Sequence, residues 1–331
     1  MFKAIADRIQ TGIILTIVSC LMMIAFEGCK APARTFKIGI ATVEAHVTVK
    51  SQIINGFKAG MAELGHVEGE KIKYIHEQIP ELNNQVIDTK IRGLLAQDID
   101  LLLTLESEVA FRAKEIVDRT DIPVLFITNI KSFENSLVEN IDHPGGNLTG
   151  VQFVNANSKA LEWLTMTVPG AKKIYLPYNP DDIGVTAELA GLDKTASQLG
   201  IELVLDEIHS VEETIEDIEN LPEDIDAIFR IPSPTLNERN MELSQAAMKK
   251  GIPIGASIRL NGDVLITLAN DFYSTGKQAA RLAHQIHQGI KPADLPVEAS
   301  EALLTINLRT AEKIGIHVPD DIIAQAKTII R

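Results

Sequence analysis

Phe36-Lys37-Ile38-Gly39-Ile40-Ala41 is a short apolar run bounded by polar chain, the signature of a buried strand. A polar loop with His46 and Thr48 follows it. Then Ile53, Ile54, Phe57, Met61 and Leu64 fall on one helical face, and Gly65 stands where a C-terminal cap glycine belongs. Further on, Lys173-Ile174-Tyr175-Leu176 opens the same sequence of events: a strand, the loop Asn179-Pro180-Asp181-Asp182, and a helix closing at Leu199-Gly200. The interval from Lys-Ile to Leu-Gly is nearly the same in both places.

The parallel extends outward. Asp98-Ile99-Asp100 opens the strand Leu101 to Leu105, a helix follows, and then Ile122-Pro123-Val124-Leu125-Phe126. Asp224-Ile225-Asp226 likewise opens Ala227 to Ile231, a helix, and Ile252-Pro253-Ile254. Each half reads strand, helix, strand, helix, strand with shared punctuation. Alternation of this kind gives a parallel sheet covered on both faces. The expected fold is therefore α/β: two Rossmann-like, doubly wound parallel-sheet lobes, with any ligand beyond the carboxyl ends of the strands.

The end of the chain departs from a simple two-domain line. A strand is expected at Leu265 to Leu268, an amphipathic helix from Ser274 to Gly289 and a strand at Leu303 to Leu308, with Thr310 and Asp320 as N-caps of two short helices. The expected course crosses back to the first lobe near Ala269 and returns near Pro296. Lobe one is then residues 36–147 with 269–295, and lobe two 148–268 with 296–331. Three crossings make a hinge.

The amino-terminal residues read differently. Lys3 and Arg8 precede an apolar run from Gly12 to Phe26, about 15 residues where a membrane span needs roughly 20. The reading is a signal peptide over residues 1–28, lipidation at Cys29 after Gly28, and a tether over 29–35. Cys20, after Ile17-Val18-Ser19, is the other candidate for lipidation, and an uncleaved anchor helix is the remaining alternative. The chain has no further cysteine, so an exported domain must rely on its core. In the 331 residues, 45% are hydrophobic and 23% charged, the balance of a globular protein. A formal charge of −14 with no basic stripe argues against nucleic acid as a partner.

Several further stretches carry a resemblance. His143-Pro144-Gly145-Gly146-Asn147-Leu148-Thr149-Gly150-Val151, Leu176-Pro177-Tyr178-Asn179-Pro180 and Lys291-Pro292-Ala293-Asp294-Leu295-Pro296-Val297-Glu298 occur in order, followed by Ile306-Asn307-Leu308-Arg309-Thr310-Ala311 and Gly315-Ile316-His317-Val318-Pro319. Together they make residues 36 to 331 resemble the ABC-transporter substrate-binding proteins of the tryptophan-importer type, within the type I periplasmic-binding fold. The resemblance implies an extracytoplasmic receptor that hands a small ligand, often an amino acid, to a permease and its ATPase. Two loops depart from the pattern. Leu105-Glu106-Ser107-Glu108 stands where the family has Gly-Thr-Pro-Ala, and Thr128-Asn129-Ile130-Lys131 replaces Thr-Asp-Pro-Val. The ligand preference must therefore be read from the residues present.

The candidate ligand contacts are loop residues at expected strand ends. Glu106 would favour an ammonium group if it faces the cleft, and is otherwise a solvated loop acid. Ser107 sits at a helix start, where amides suit a carboxylate, or is simply the cap. By the family's placement, His46 and Asn129 face the cleft; a surface histidine is the plainer account of His46. Asn179, Asp182 and Thr186 form the matching loop of lobe two, where Asp181 reads as turn chemistry. Ser233 and Thr235 lie in a loop that Pro232 and Pro234 stiffen. Asp271 is either an ammonium partner or a hinge-structuring acid. Tyr178 and Tyr273 stack on a ring or fill the lobe interface, and Trp163 reads as helix packing.

Enzyme motifs are missing from the sequence: there is no Gly-x-Ser-x-Gly elbow, Walker A loop or Gly-x-Gly-x-x-Gly fingerprint. His284 and His287, three apart on a helix, read as a polar face rather than a metal site. No cofactor, metal or catalytic residue is expected. The expected function is the solute-binding component of an ABC importer that takes a small amine-bearing solute by hinge closure. A ligand-sensing receptor of the same fold, coupled to a membrane signalling protein, is the alternative. An enzyme on this fold and a transcriptional regulator are the more distant rivals.

Overall fold

Two open α/β sheets carry the chain, one in each lobe. The structure, a computed structural model, describes residues 34–44, 47–118, 120–129, 137–182, 184–237 and 239–331. The expected signal peptide, Cys20, Cys29, most of the tether and His46 lie outside the described residues. In the first lobe the order is β1 (Phe36–Val43), α1 (Val47–Glu63), β2 (Ile72–Ile79), α2 (Asn84–Leu95), β3 (Leu101–Thr104), α3 (Ser107–Val117), β4 (Val124–Thr128) and β5 (Leu148–Gln152). The second lobe runs α4 (Asn157–Thr167), β6 (Lys173–Tyr178), α5 (Val185–Leu199), β7 (Glu202–Glu207), α6 (Val211–Asn220), β8 (Ala227–Arg230), α7 (Pro234–Asn237), α8 (Asn240–Lys250), β9 (Ile254–Ala256) and β10 (Ile266–Asn270). Then come α9 (Phe272–His287), β11 (Glu298–Ala299), β12 (Ala302–Asn307), α10 (Leu308–Lys313), α11 (Asp320–Ile323) and β13 (Thr328–Ile330).

Sheet one has the strand order β11-β5-β4-β3-β1-β2, and sheet two β13-β12-β10-β9-β8-β6-β7. All pairs are parallel except β10 with β12. The duplication seen in the sequence is also a duplication of bonds. Asp100 accepts the Lys37 backbone N–H at 2.8 Å, and Asp226 accepts that of Lys173 at 2.9 Å. Each acid ties the start of its own strand to the first strand of its lobe.

Two elements per lobe were not anticipated. β2 with α2, and β7 with α6, lie between the repeated motifs. β2 and β7 are edge strands with half-exposed, polar sequences, Ile72-Lys73-Tyr74-Ile75-His76-Glu77 and Glu202-Leu203-Val204-Leu205-Asp206-Glu207. A strand wet on one edge lacks the continuous apolar run that marks β1 or β3.

The expected lobe boundaries also shift. β5 pairs with β4 from Val124↔Leu148 to Thr128↔Gln152, so the switch expected at 147/148 falls after Gln152. β11 pairs with β5 through Glu298↔Val151, so the return expected at 296 falls after Ala299. The apolar cue was right for a strand, but strand order is a property of pairing that the local sequence does not carry. Likewise α10 is capped by Asn307, whose side chain accepts the Thr310 N–H at 3.1 Å, and Pro319 rather than Asp320 precedes α11.

Lobe one is completed late in the chain. α9 lies on α1 through a seam of small residues. A Cβ on Gly56 would stand 2.0 Å from Tyr273 O, and one on Gly276 would stand 2.1 Å from Ile53 O. Only glycine allows two helix backbones to approach so closely. Ile53, Phe57 and Met61 of α1 and Ala279, Ala280, Leu282 and Ala283 of α9 then share one buried cluster with β1, β3 and β4. Among the described residues no helix is long and apolar enough to cross a membrane.

Candidate functional site

In each sheet the strand order reverses between the first strand and its neighbour. β1 lies between β2 and β3, and β6 lies between β7 and β8. The crevice of an open α/β sheet forms beyond the carboxyl ends of the strands at such a reversal. The loops that matter are therefore those after β1 and β3 in lobe one, and after β6 and β8 in lobe two.

In lobe one those two loops are bonded to one another. Glu106 ends the β3 segment in extended geometry (φ −118°, ψ 148°) and precedes α3 without capping it by its side chain. Its Oε1 accepts the Val43 N–H at 3.0 Å, and Lys50 Nζ stands 2.5 Å from the same oxygen. Lys50, in the first turn of α1, also donates to Val43 O. The Glu106 and Lys50 side chains are only 14% and 12% exposed. Burial holds the Glu106 carboxyl above the usual carboxylate range, and the Lys50 ammonium and Val43 amide oppose that rise. Oε2 of Glu106 is sealed and has no partner. The solvated-acid alternative does not hold: the acid is buried and brings its own counter-ion.

Ser107 is engaged elsewhere. Its hydroxyl lies 2.6 Å from Thr128 Oγ1 and donates to Asn129 O at 3.0 Å. It pins the start of α3 to the end of β4 rather than capping the helix. Asn129 is exposed at the end of β4, its carbonyl taken by Ser107.

The loops of lobe two are joined in the same way. Asn179 Oδ1 accepts the Asp181 N–H at 2.9 Å, and its Nδ2 donates to Thr235 Oγ1 at 2.8 Å. Both Asn179 and Thr235 are thus spent in holding the loop after β6 to the loop after β8. Asp182 keeps one carboxylate oxygen, Oδ2, sealed and without a partner. Ser233 is 1% exposed and its hydroxyl is likewise unpartnered, while its carbonyl accepts the Leu236 and Asn237 N–H groups. Thr186 is exposed on α5.

Three other candidates have the following surroundings. Asp271 caps α9: its carboxylate accepts the N–H groups of Tyr273 and Ser274 at 3.1 and 3.2 Å and the Ser274 hydroxyl at 2.8 Å. These bonds make Asp271 the N-cap of α9, the geometry that the hinge-structuring account describes. Tyr178 donates to Glu207 at 2.8 Å, across to the edge strand β7. Tyr273 is 42% exposed, in the first turn of α9.

The three crossings are laced into one knot. Ser300 Oγ lies 2.5 Å from Asn270 Oδ1 and accepts the Val154 N–H at 3.1 Å, while Asn270 Nδ2 donates to Val154 O at 3.1 Å. One residue from each crossing takes part.

Sequence reasoning missed two residues. Lys50 gave no signal, being an ordinary lysine in a helical turn. Arg230 did give one: it interrupts the apolar run Ala227-Ile228-Phe229-Arg230-Ile231. It is 2% exposed, and its Nε and Nη2 are sealed without an acceptor. Burial alone pulls the guanidinium down to about 10. Unmet donors of this kind each cost roughly 1–3 kcal/mol, more when charged. Among the described residues no group of His, Cys, Asp and Glu is placed to hold a metal ion. His284 and His287 do not form a purely polar face: His284 Nδ1 lies 2.7 Å from the Nε2 of buried His66.

Residues 37–330 match the family model described as ABC transporter substrate binding protein. A tyrosine-binding protein of Clostridioides difficile (strain R20291) is 26% identical over 286 residues, 85% of this chain and 81% of that one. Among solved structures, the ligand-free, open form of a substrate-binding protein with adhesive properties from Clostridium difficile superposes with a TM-score of 0.76 at 21% identity, covering 89% of this chain and 99% of that one. A domain from Streptococcus pneumonia in complex with L-Trp gives 0.69 at 23% identity, covering 89% and 100%. The fold is the type I periplasmic-binding fold.

Proposed function

Because the chain belongs to the ABC transporter substrate binding protein family, we propose that it is the solute receptor of an importer and closes on an amino acid or a related amine held between its lobes. One observation carries the reading. In both lobes the two loops at the strand-order reversal are bonded together, Val43 to Glu106 and Asn179 to Thr235. Each pair of loops also presents a sealed carboxylate oxygen with nothing to accept from, Glu106 Oε2 and Asp182 Oδ2. Two such acceptors suit a protonated amine, whose three donors need partners once it leaves water.

The relatives favour the same class of ligand, since one carries the name tyrosine-binding protein and another holds L-Trp. The replaced loop at Leu105-Glu106-Ser107-Glu108 argues that the side chain of the amino acid differs. The site residues in this reading are Glu106, Asp182 and Ser233, with Lys50, Asn179 and Thr235 holding them in place and Thr186 and Tyr273 at the rim. Lobe one comprises residues 36–152 with 272–299, and lobe two 153–271 with 300–331. Closure brings both lobes onto the solute, so ligand shifts the population to the closed form, which the permease recognises. No chemistry is done on the solute. The chain acts outside the cytoplasm, anchored through Cys29, with the permease and ATPase as its partners.

A thermal-shift screen of amino acids, amines, nucleosides and sugars tests this, followed by small-angle scattering with and without the best ligand. A stabilising amine with a decrease in radius of gyration is expected. Stabilisation by neutral sugars or plain anions alone removes the amine, and an unchanged radius removes closure.

A further inference from the structure

We propose that Arg230 and Ser233 form a carboxylate-binding subsite on the second lobe, so that the solute must carry a free carboxylate that docks there. The inference rests on the amino-acid reading and narrows it, excluding amines that have no acid group.

Arg230 is the last residue of β8, one of the two strands at which the order of sheet two reverses. Its backbone is fully used within the sheet, the carbonyl accepting the Ser257 N–H at 3.0 Å. Its side chain is not. Nε and Nη2 have neither a carboxylate, a carbonyl nor a hydroxyl to donate to, although the residue is 2% exposed. A structural buried arginine is held by acceptors of its own chain; this one has none. Three residues on, Ser233 is 1% exposed and its hydroxyl is also unmet. The loop that carries it is fixed by the N–H groups of Leu236 and Asn237 on its carbonyl and by Asn179 on Thr235. A planar guanidinium fork matches a carboxylate, which offers two oxygens in one plane, and a hydroxyl three residues on is a further donor. Glu106 Oε2 and Asp182 Oδ2 are unmet acceptors on carboxylates, and Arg230 and Ser233 carry unmet donors. A zwitterion offers a partner to both sets.

The test is calorimetry on the full chain with the twenty L-amino acids, their carboxamides, the corresponding decarboxylated amines and the corresponding des-amino acids. It uses the wild type and the variants Arg230→Gln, Arg230→Lys and Ser233→Ala. Whichever amino acid binds is expected to be favoured over its carboxamide by about 30-fold in the wild type, the scale of charge-assisted hydrogen bonds. Arg230→Gln should bring that ratio to within about threefold, Arg230→Lys should restore part of it, and Ser233→Ala should fall between. The unliganded Arg230→Gln protein should melt no lower than the wild type, because a buried charge without a partner has been removed; a structural role would lower its melting temperature. Equal binding of acid and carboxamide by the wild type overturns the proposal, as does an acid preference that survives Arg230→Gln. Binding of decarboxylated amines alone overturns it while leaving the amine reading in place. Binding of des-amino acids alone, lost in Arg230→Gln, supports it and removes the amine instead. Binding of nothing in the four sets overturns both.

Discussion

The ammonium of Lys50 stands 2.5 Å from Glu106 Oε1, so the acid at the end of β3 carries a counter-ion supplied by the helix that follows β1. The pair joins the loops that follow β1 and β3. It leaves one oxygen, Oε2, sealed and without a partner.

Removing one partner of this pair strands the other in a buried place. Lys50→Met should lower the stability to chemical unfolding by about 3 kcal/mol, within the usual range for a broken buried pair. Lys50→Met combined with Glu106→Gln should recover most of that loss, because no uncompensated charge remains. A double mutant as unstable as the single one would show that Lys50 acts by packing alone.

Glu106→Gln and Asp182→Asn should each weaken an amine ligand by about 1.5–3 kcal/mol, read by calorimetry. Asp271 is expected to behave otherwise. Its carboxylate is occupied by the first turn of α9, so Asp271→Ala should cost about 1 kcal/mol of stability and leave ligand affinity unchanged. A loss of affinity larger than tenfold in that variant, at full folding, would return Asp271 to the site.

Ser300 is the point where the three crossings meet. Ser300→Ala removes the acceptor of the Val154 N–H and the partner of Asn270 Oδ1 at once, in a residue 4% exposed. Leaving such groups unmet costs about 1–3 kcal/mol. The loss should appear as faster hydrogen exchange at Val154, with altered ligand affinity. Unchanged protection there would show that the other crossing bonds suffice.

Acid should loosen lobe one. Burial pushes His66 below its ordinary value, and the nearby His287, His284 and Lys71 push it further in the same direction. A histidine depressed in the folded state resists protonation that the unfolded chain accepts freely. Its contribution is therefore whole above the unfolded value of about 6.5 and is lost as the pH falls through the depressed folded value. Urea midpoints should decline from about pH 7 to pH 5, and His66→Phe should flatten the decline. An unaltered slope in that variant would place the acid sensitivity elsewhere.

Much of the architecture could be read in the primary structure because buried parallel strands announce themselves as apolar runs, and the Asp-Ile-Asp motifs recur for a physical reason: each ties its strand to the first strand of its lobe. Edge strands β2 and β7 escaped notice because one wet side breaks the apolar run. Strand membership of β5 and β11 escaped because pairing partners are distant in sequence. At the candidate site, Glu106, Asp182 and Ser233, all picked from expected strand ends, each carry a sealed, unmet polar atom. Ser107, Asn179 and Asp271 were residues of the right type whose bonds go to the protein itself, which only their neighbours could disclose. Arg230 was visible as a charge within an apolar stretch and was passed over.

The glycine seam between α1 and α9 has a bearing on how the chain is made. The first five strands exist once Gln152 has left the ribosome, yet Phe57 and Met61 remain uncovered until the segment around Gly276 arrives. The amino-terminal half cannot settle into its final form on its own during synthesis.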